Sequence, residues 1–288
     1  MGEGDGRQQV VAFQGEHGAY SEIAARAVCG ARITTLACPT FGEVFEAVEQ
    51  GRADLGVIPL ENSLAGSIHQ NYDLLLEHQL HIIGEHVERI SHCLITYPGV
   101  TLQQITRVYS HPQALAQCAR SIEALGIPQA IVSHDTAGSV RMIRDQGLRD
   151  AAAIASELAA DLYGMAILER DLEDEKSNYT RFAVLAREPI TPDGPSKTSI
   201  CFAGKNEPGL LFRCLSAFAL RDIDLTKIES RPIRGVPWQY VFYLDFCGSL
   251  EDERCRRAID HLTEMTTFLR VFGSYRRAAN QRIAGEAD

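Results

Sequence analysis

The stretch Glu188-Pro189-Ile190-Thr191-Pro192-Asp193-Gly194-Pro195-Ser196 divides this chain. Its prolines fix φ and remove amide donors, so neither a helix nor a strand ladder runs through it, and it reads as a linker. The predicted organisation is a first domain over 8–187, a linker over 188–196 and a second domain over 197–276.

After the linker, residues 198–202 have a strand pattern. Residues 208–220 have a helical one, with Pro208 near the first turn, where a missing N–H is harmless. Strand patterns follow at 227–233 and 240–246. Ser249-Leu250-Glu251-Asp252 resembles a capping box and opens a helix running to about 265. A last strand over 268–272 completes a βαββαβ order, the ferredoxin-like pattern.

Before the linker, strand and helix patterns alternate, which predicts an α/β fold with mixed or parallel sheets. Strands are expected at 10–14, 55–59, 81–87, 93–97, 151–155, 165–168 and 182–186, and helices at 21–28 and 68–76. A single helix is expected over 113–125, with Leu115, Cys118, Ile122 and Leu125 on one face and Gly126 as its stop.

Bulk properties exclude several classes of function. The chain has 288 residues, 45% hydrophobic and 23% charged, a globular balance. A formal charge of −10 without a Lys/Arg stripe argues against nucleic acid. No apolar run approaches the ~20 residues of a membrane span. Met1 to Gly6 has no basic start and no apolar core, and Gly6 stands where a myristoylation motif needs Ser or Thr. The expected location is the cytoplasm, or a plastid stroma if the source is a plant or alga and the transit peptide is absent. The eight cysteines form no Cys-x-x-Cys pair and read as buried thiols of a reducing compartment. His78, His81, His86 and His92 lack zinc-site spacing, so no metal is expected.

Five segments carry candidate chemistry. Gly15-Glu16-His17-Gly18, between a strand and a helix, lacks the first glycine of a dinucleotide fingerprint. It is either a tight turn or a loop whose backbone N–H groups face a small carboxylate. Glu61-Asn62-Ser63 at a strand end either caps the next helix or binds a ligand. Ser110-His111-Pro112-Gln113 opens the helix that carries Gln117. Asn178-Tyr179-Thr180-Arg181-Phe182 sets a hydroxyl donor beside a cation, a pair suited to an oxygen leaving group next to a carboxylate; the plainer reading is a surface salt bridge. In the second domain, Glu229-Ser230-Arg231-Pro232 on a strand and Asn206-Glu207-Pro208-Gly209-Leu210-Leu211 at a helix start form either a pocket for an amino acid's charged ends or ordinary turns.

Taken in this order, from about residue 10 to 276, these segments resemble the prephenate dehydratase family. The resemblance implies a catalytic domain of two α/β lobes, similar to type II periplasmic binding proteins, with its site in the cleft between them. It also implies a C-terminal ACT domain of βαββαβ order, and a homodimer or homotetramer. By this resemblance Thr180 is the threonine needed for dehydration, and Arg181 beside it holds a substrate carboxylate. Ala19, Tyr20, Ser21, Asn62, Ser63, Ser110, Gln117 and Phe182 bind substrate. Asn206, Gly209, Leu210, Leu211, Glu229, Ser230 and Arg231 bind phenylalanine as an allosteric effector. Where the family often shows Gly-Ala-Leu-Val, this chain has Gly209-Leu210-Leu211-Phe212. The implied reaction converts prephenate to phenylpyruvate; the alternatives are arogenate dehydration and, in another class, a non-enzymatic amino-acid sensor.

Overall fold

The computed structural model describes residues 8–278 apart from Ala31, Arg234 and Pro237. The segment 1–6, read above for an export signal, lies outside the described residues. Among them, no helix is long and apolar enough to cross a membrane. The chain forms two compact units, one of residues 8–78 with 86–183, the other of 79–85 with 184–278.

The first unit holds two lobes. The first lobe runs β1 (Gln9–Gln14), α1 (Tyr20–Cys29), β2 (Ile33–Cys38), α2 (Phe41–Glu49), β3 (Leu55–Asn62), β4 (Gly66–Ser67) and α3 (His69–Glu77), and leads into β5 (His81–Arg89). β1 pairs in parallel with both β2 and β3. Its centre, Val11, Ala12 and Phe13, is wholly buried, as a parallel strand covered on both faces requires. Helix α2 was not predicted, yet Thr40 accepts from the Glu43 N–H at 3.3 Å and Val44, Phe45, Ala47 and Val48 are buried. That is a Thr-x-x-Glu start ahead of an apolar stripe.

The second lobe runs β6 (Cys93–Thr96), β7 (Arg107–Ser110), α4 (Pro112–Gln117), α5 (Ala119–Ala124), β8 (Gln129–Val132), α6 (Thr136–Gln146), β9 (Ala151–Ala155), α7 (Glu157–Tyr163) and β10 (Ala166–Glu169). The strand order is β10-β6-β9-β7-β8. The alanine-rich β9 is fully buried, and its small side chains pack with Ala137, Val140 and Ile143 of α6 and Ala159 and Ala160 of α7. β11 (Tyr179–Ala186) then returns to the first lobe, in the order β11-β3-β1-β2.

The expected single helix over 113–125 is two. It breaks at Cys118 (φ −117°, ψ 16°), where the Asp174 carboxylate takes the N–H groups of Arg120 and Ser121 at 3.0 and 3.1 Å. Those donors begin α5 afresh. The apolar face survives, because Leu115, Cys118 and Ile122 still share one core cluster.

The second unit contains β12 (Ser196–Ala203), α8 (Leu210–Ala219), β13 (Leu225–Pro232), β14 (Tyr240–Cys247), α9 (Glu253–Met265) and β15 (Phe268–Arg276). Its antiparallel strands lie in the order β13-β14-β12-β15, with α8 and α9 packed over Phe202, Leu244 and Phe246. This is the ACT-type βαββαβ order expected from the sequence. Two boundaries differ. Helix α8 starts after Pro208, because Gly209 in left-handed conformation (φ 82°) is its N-cap. Helix α9 is capped by Asp252, which accepts from the Arg254 N–H, and not by Ser249.

Candidate active site

A cleft of about 590 Å³ is lined by both lobes of the first unit. From the first lobe, the N-terminus of α1 enters it through Ala19, Tyr20 and Ser21. The N-cap Ala19 has no side-chain acceptor, whereas Thr40, Asp135 and Ser156 cap α2, α6 and α7. A helix N-terminus left in this way favours an anion. The loop ahead of it is shaped by Glu22, whose wholly buried carboxylate accepts from the Gly18 N–H (2.7 Å), Arg26 (2.6 Å) and the Thr35 hydroxyl (2.9 Å). Burial raises the Glu22 pKa, but these donors outweigh it and hold the carboxyl below its ordinary value.

A depressed carboxyl pKa adds stability that is complete above the unfolded-state value and lost as pH falls through the folded one. Glu22→Gln is therefore expected to cost about 1–3 kcal/mol at pH 7, with a smaller difference at pH 4. Urea unfolding at both pH values measures it; an equal loss at both removes the charge from the account.

At the floor of the cleft, a string of hydrogen bonds ends on Thr180. The Leu64 and Ala65 N–H groups donate to Asn62 Oδ1 at 3.1 and 2.9 Å. Asn62 Nδ2 donates to Thr180 Oγ1 (3.0 Å), Asn178 Oδ1 (2.8 Å) and the Tyr179 carbonyl (3.1 Å). Asn178 Nδ2 donates to Gln117 Oε1 at 3.0 Å, which also meets His92 Nε2 at 3.0 Å. Beyond His92, its Nδ1 lies 2.8 Å from the Tyr20 hydroxyl. Asn62, His92, Asn178 and Thr180 are all buried. Phe182, Ile68 and Ile90 supply apolar wall.

The other expected site residues divide. Ala19, Tyr20, Ser21, Asn62, Gln117, Thr180 and Phe182 all line the cleft. Arg181 does not: side chains alternate along a strand, and in β11 the buried Thr180 and Phe182 share one face while Arg181 takes the other. The cleft lining contains no lysine or arginine at all among the described residues. Ser63 is also outside it, its hydroxyl donating to the Ser177 carbonyl at 2.8 Å and accepting from the Tyr179 N–H at 2.9 Å. Ser110 is fully buried and donates to the Ile154 carbonyl at 2.6 Å. Arg181, Ser63 and Ser110 thus lie outside the lining that brings the other expected substrate contacts together.

In the second unit, Glu229 and Arg231 share the less exposed face of β13, and Ser230 lies on the opposite one. Leu210 belongs to the core, Leu211 is exposed, and Asn206 Nδ2 donates to the Trp238 carbonyl at 3.1 Å. Alternation again separates neighbours that the sequence reading had grouped.

Several cleft residues were not in the expected set. His92 and Gln14 line it, as do His134 and Asp135 at the start of α6. Asn178 stands in the sequence only as the first residue of the motif that carries Thr180. His92 stands before the apolar strand β6, where the sequence offers only the comparison with zinc-site spacing.

The profile of the prephenate dehydratase family matches residues 11–190. Arogenate dehydratase/prephenate dehydratase 2, chloroplastic, of Arabidopsis thaliana is 49% identical over 282 residues, spanning 94% of this chain and 74% of that protein. The crystal structure of prephenate dehydratase from Arthrobacter aurescens in complex with L-Phe is 31% identical, with TM-score 0.86 over 93% of this chain and 90% of that one. The solved structure of GqqA, described as a novel type of quorum quenching acylase, is 38% identical, with TM-score 0.87 over 94% of this chain and 99% of that one. With a profile match over more than half its length and a relative near one-half identity, the chain belongs to the prephenate dehydratase family.

Proposed function

We propose that this protein is a carbon–oxygen lyase that dehydrates and decarboxylates prephenate to phenylpyruvate, within the cleft of a catalytic domain over 8–187. The observation that carries this reading is the bond from Asn62 Nδ2 to Thr180 Oγ1. Since that oxygen accepts from Asn62, the Thr180 proton is available to another acceptor at the cleft. In the reaction, the bond to the ring carboxylate breaks and CO₂ leaves. Its electron pair makes the ring aromatic, and the C–O bond across the ring breaks to release hydroxide. Thr180 donates a hydrogen bond to that oxygen. Threonine is too weak an acid to supply the proton itself, so water completes the transfer.

Substrate carboxylates are held by the α1 N-terminus at Ala19, Tyr20 and Ser21, since the lining has no guanidinium. His111 and His134 also line the cleft. No metal and no cofactor is needed, because aromatisation drives the loss of CO₂ and water.

Arogenate, which has an amine in place of the keto group, is the second reading, and the Arabidopsis relative is named for both substrates. Side-by-side turnover decides: phenylpyruvate absorbance in alkali after incubation with prephenate is expected to exceed phenylalanine formed from arogenate. No product from either substrate overturns the lyase reading and leaves the amino-acid sensor. An acylase reading, after the description of GqqA, with Thr180 as nucleophile is disfavoured by the same bond, since a hydroxyl oxygen accepting an N–H is a poorer nucleophile.

Phenylalanine regulation by an ACT domain over 197–276, joined through 188–196, belongs to the same proposal and draws support from the L-Phe complex of the Arthrobacter relative. Glu229 and Arg231 on one face of β13, with the α8 start at Gly209, would hold its charged ends. Arg231→Ala is expected to raise the phenylalanine concentration for half inhibition by about tenfold or more. An unmoved inhibition curve would place the effector elsewhere. Self-association as a homodimer or homotetramer is part of the proposal, to be read by sedimentation. Its location in the cytoplasm or a plastid stroma is read by imaging a tagged chain.

A further inference from the structure

We propose that His92 is a positioning residue, which locks the amide of Gln117 so that Gln117 Nε2 is offered to an oxygen of the substrate. This rests on the dehydratase reading above. The direction of each hydrogen bond is fixed outward from groups whose role is unambiguous. Backbone N–H groups only donate, so the two from Leu64 and Ala65 identify the acceptor end of Asn62. Its Nδ2 is therefore the donor toward Asn178, which must accept through Oδ1 and donate through Nδ2. That makes the contacted end of Gln117 its oxygen. A ring nitrogen meeting that same oxygen must carry hydrogen, so His92 is protonated at Nε2.

The remaining ring nitrogen agrees with this. His92 is 2% exposed, and burial holds its pKa below the ordinary value, so the ring keeps one proton. Nδ1 is then the acceptor for the Tyr20 hydroxyl, whose other neighbour, the Ser91 carbonyl at 2.7 Å, competes for the same proton. With its oxygen claimed by both Asn178 and His92, Gln117 has only Nε2 left. That nitrogen is buried and has no partner, although Gln117 lines the cleft. A buried N–H pair left in this way calls for an acceptor, which a keto or carboxylate oxygen of the bound substrate would supply. His92 touches no reacting atom in this scheme; it acts through Gln117.

The test is a double-mutant cycle on the full chain, read as kcat/KM, with wild-type turnover measured first. His92→Leu is expected to lower kcat/KM by about 10- to 100-fold when Gln117 is present, and by less than about threefold in a Gln117→Leu background. Independent, multiplying losses would overturn the proposal while leaving the dehydratase reading intact. No wild-type turnover overturns both. If the leucine variant fails to fold, two amides replace it. Glutamine carries its nitrogen near the place of Nε2, and asparagine near that of Nδ1. His92→Gln is expected to keep at least about a third of kcat/KM, and His92→Asn to fall to the level expected for leucine. Equal losses in the two amide variants would show that the contact to Gln117 is not what matters.

Discussion

Replacing Thr180 with valine is expected to lower kcat at least 100-fold, to about the loss seen when one oriented donor is removed from developing charge. The change is nearly isosteric at a site 8% exposed, so packing is kept. It also strands no donor, because Asn62 Nδ2 retains Asn178 Oδ1 and the Tyr179 carbonyl as acceptors. The unfolding midpoint should therefore move little, which separates a chemical effect from a folding one. KM should change less than kcat, since the bond to the departing oxygen strengthens as charge develops there. Thr180→Ser keeps the hydroxyl and the Asn62 contact, and is expected to recover most of the turnover. Steady-state kinetics of the two variants against wild type is the measurement. Near-normal kcat in the valine variant would remove Thr180 from the reaction.

The sequence places Thr180 at a site and the fold places it in the cleft lining, while its neighbour lies elsewhere. Thr180 and Arg181 adjoin in sequence, and a hydroxyl beside a cation reads as one functional pair. A strand alternates faces, so neighbours on β11 diverge. Glu229, Ser230 and Arg231 diverge on β13 for the same reason. Local chemistry is readable where it is local: the glycine turn before α1, the apolar centre of β1. It failed where partners are distant in the chain. His92 finds Tyr20 and Gln117 at separations of 72 and 25 residues. Helix α5 is restarted by a carboxylate 54 residues after Arg120. The family resemblance implies Ser110 as a ligand, yet its hydroxyl donates to the Ile154 carbonyl of β9. A sequence marks polar side chains near a site, but which of them face it depends on pairing and burial.

The loop before α1 gives the largest expected loss of stability. Gly18 has φ +92°, a conformation that L side chains rarely adopt. A Cβ there would stand 2.7 Å from Ala159 Cα and 3.1 Å from its nitrogen, so it would meet the backbone of α7 and not a side chain able to swing away. Three bonds tie this loop to the second lobe: Ser156 Oγ to the Gly18 carbonyl at 2.6 Å, Tyr163 to the His17 carbonyl at 3.0 Å, and Arg141 to Glu16 at 2.7 Å. Relief of the clash would break them and shift Ala19, Tyr20 and Ser21 in the cleft. Gly18→Ala is thus expected to cost about 3 kcal/mol or more and to lower kcat/KM as well. Gly30, at the other end of α1, supplies the control. Its φ is +82° with ψ 173°, also a glycine conformation, but a Cβ there meets nothing within 4 Å, so Gly30→Ala should cost about 1–3 kcal/mol of backbone strain with no clash added. Urea unfolding of the two alanine variants, with kcat/KM measured alongside, isolates the close approach of the lobes from the conformational term. Equal costs in the two would mean that α7 yields readily, and that this loop is not what fixes the α1 N-terminus in the cleft.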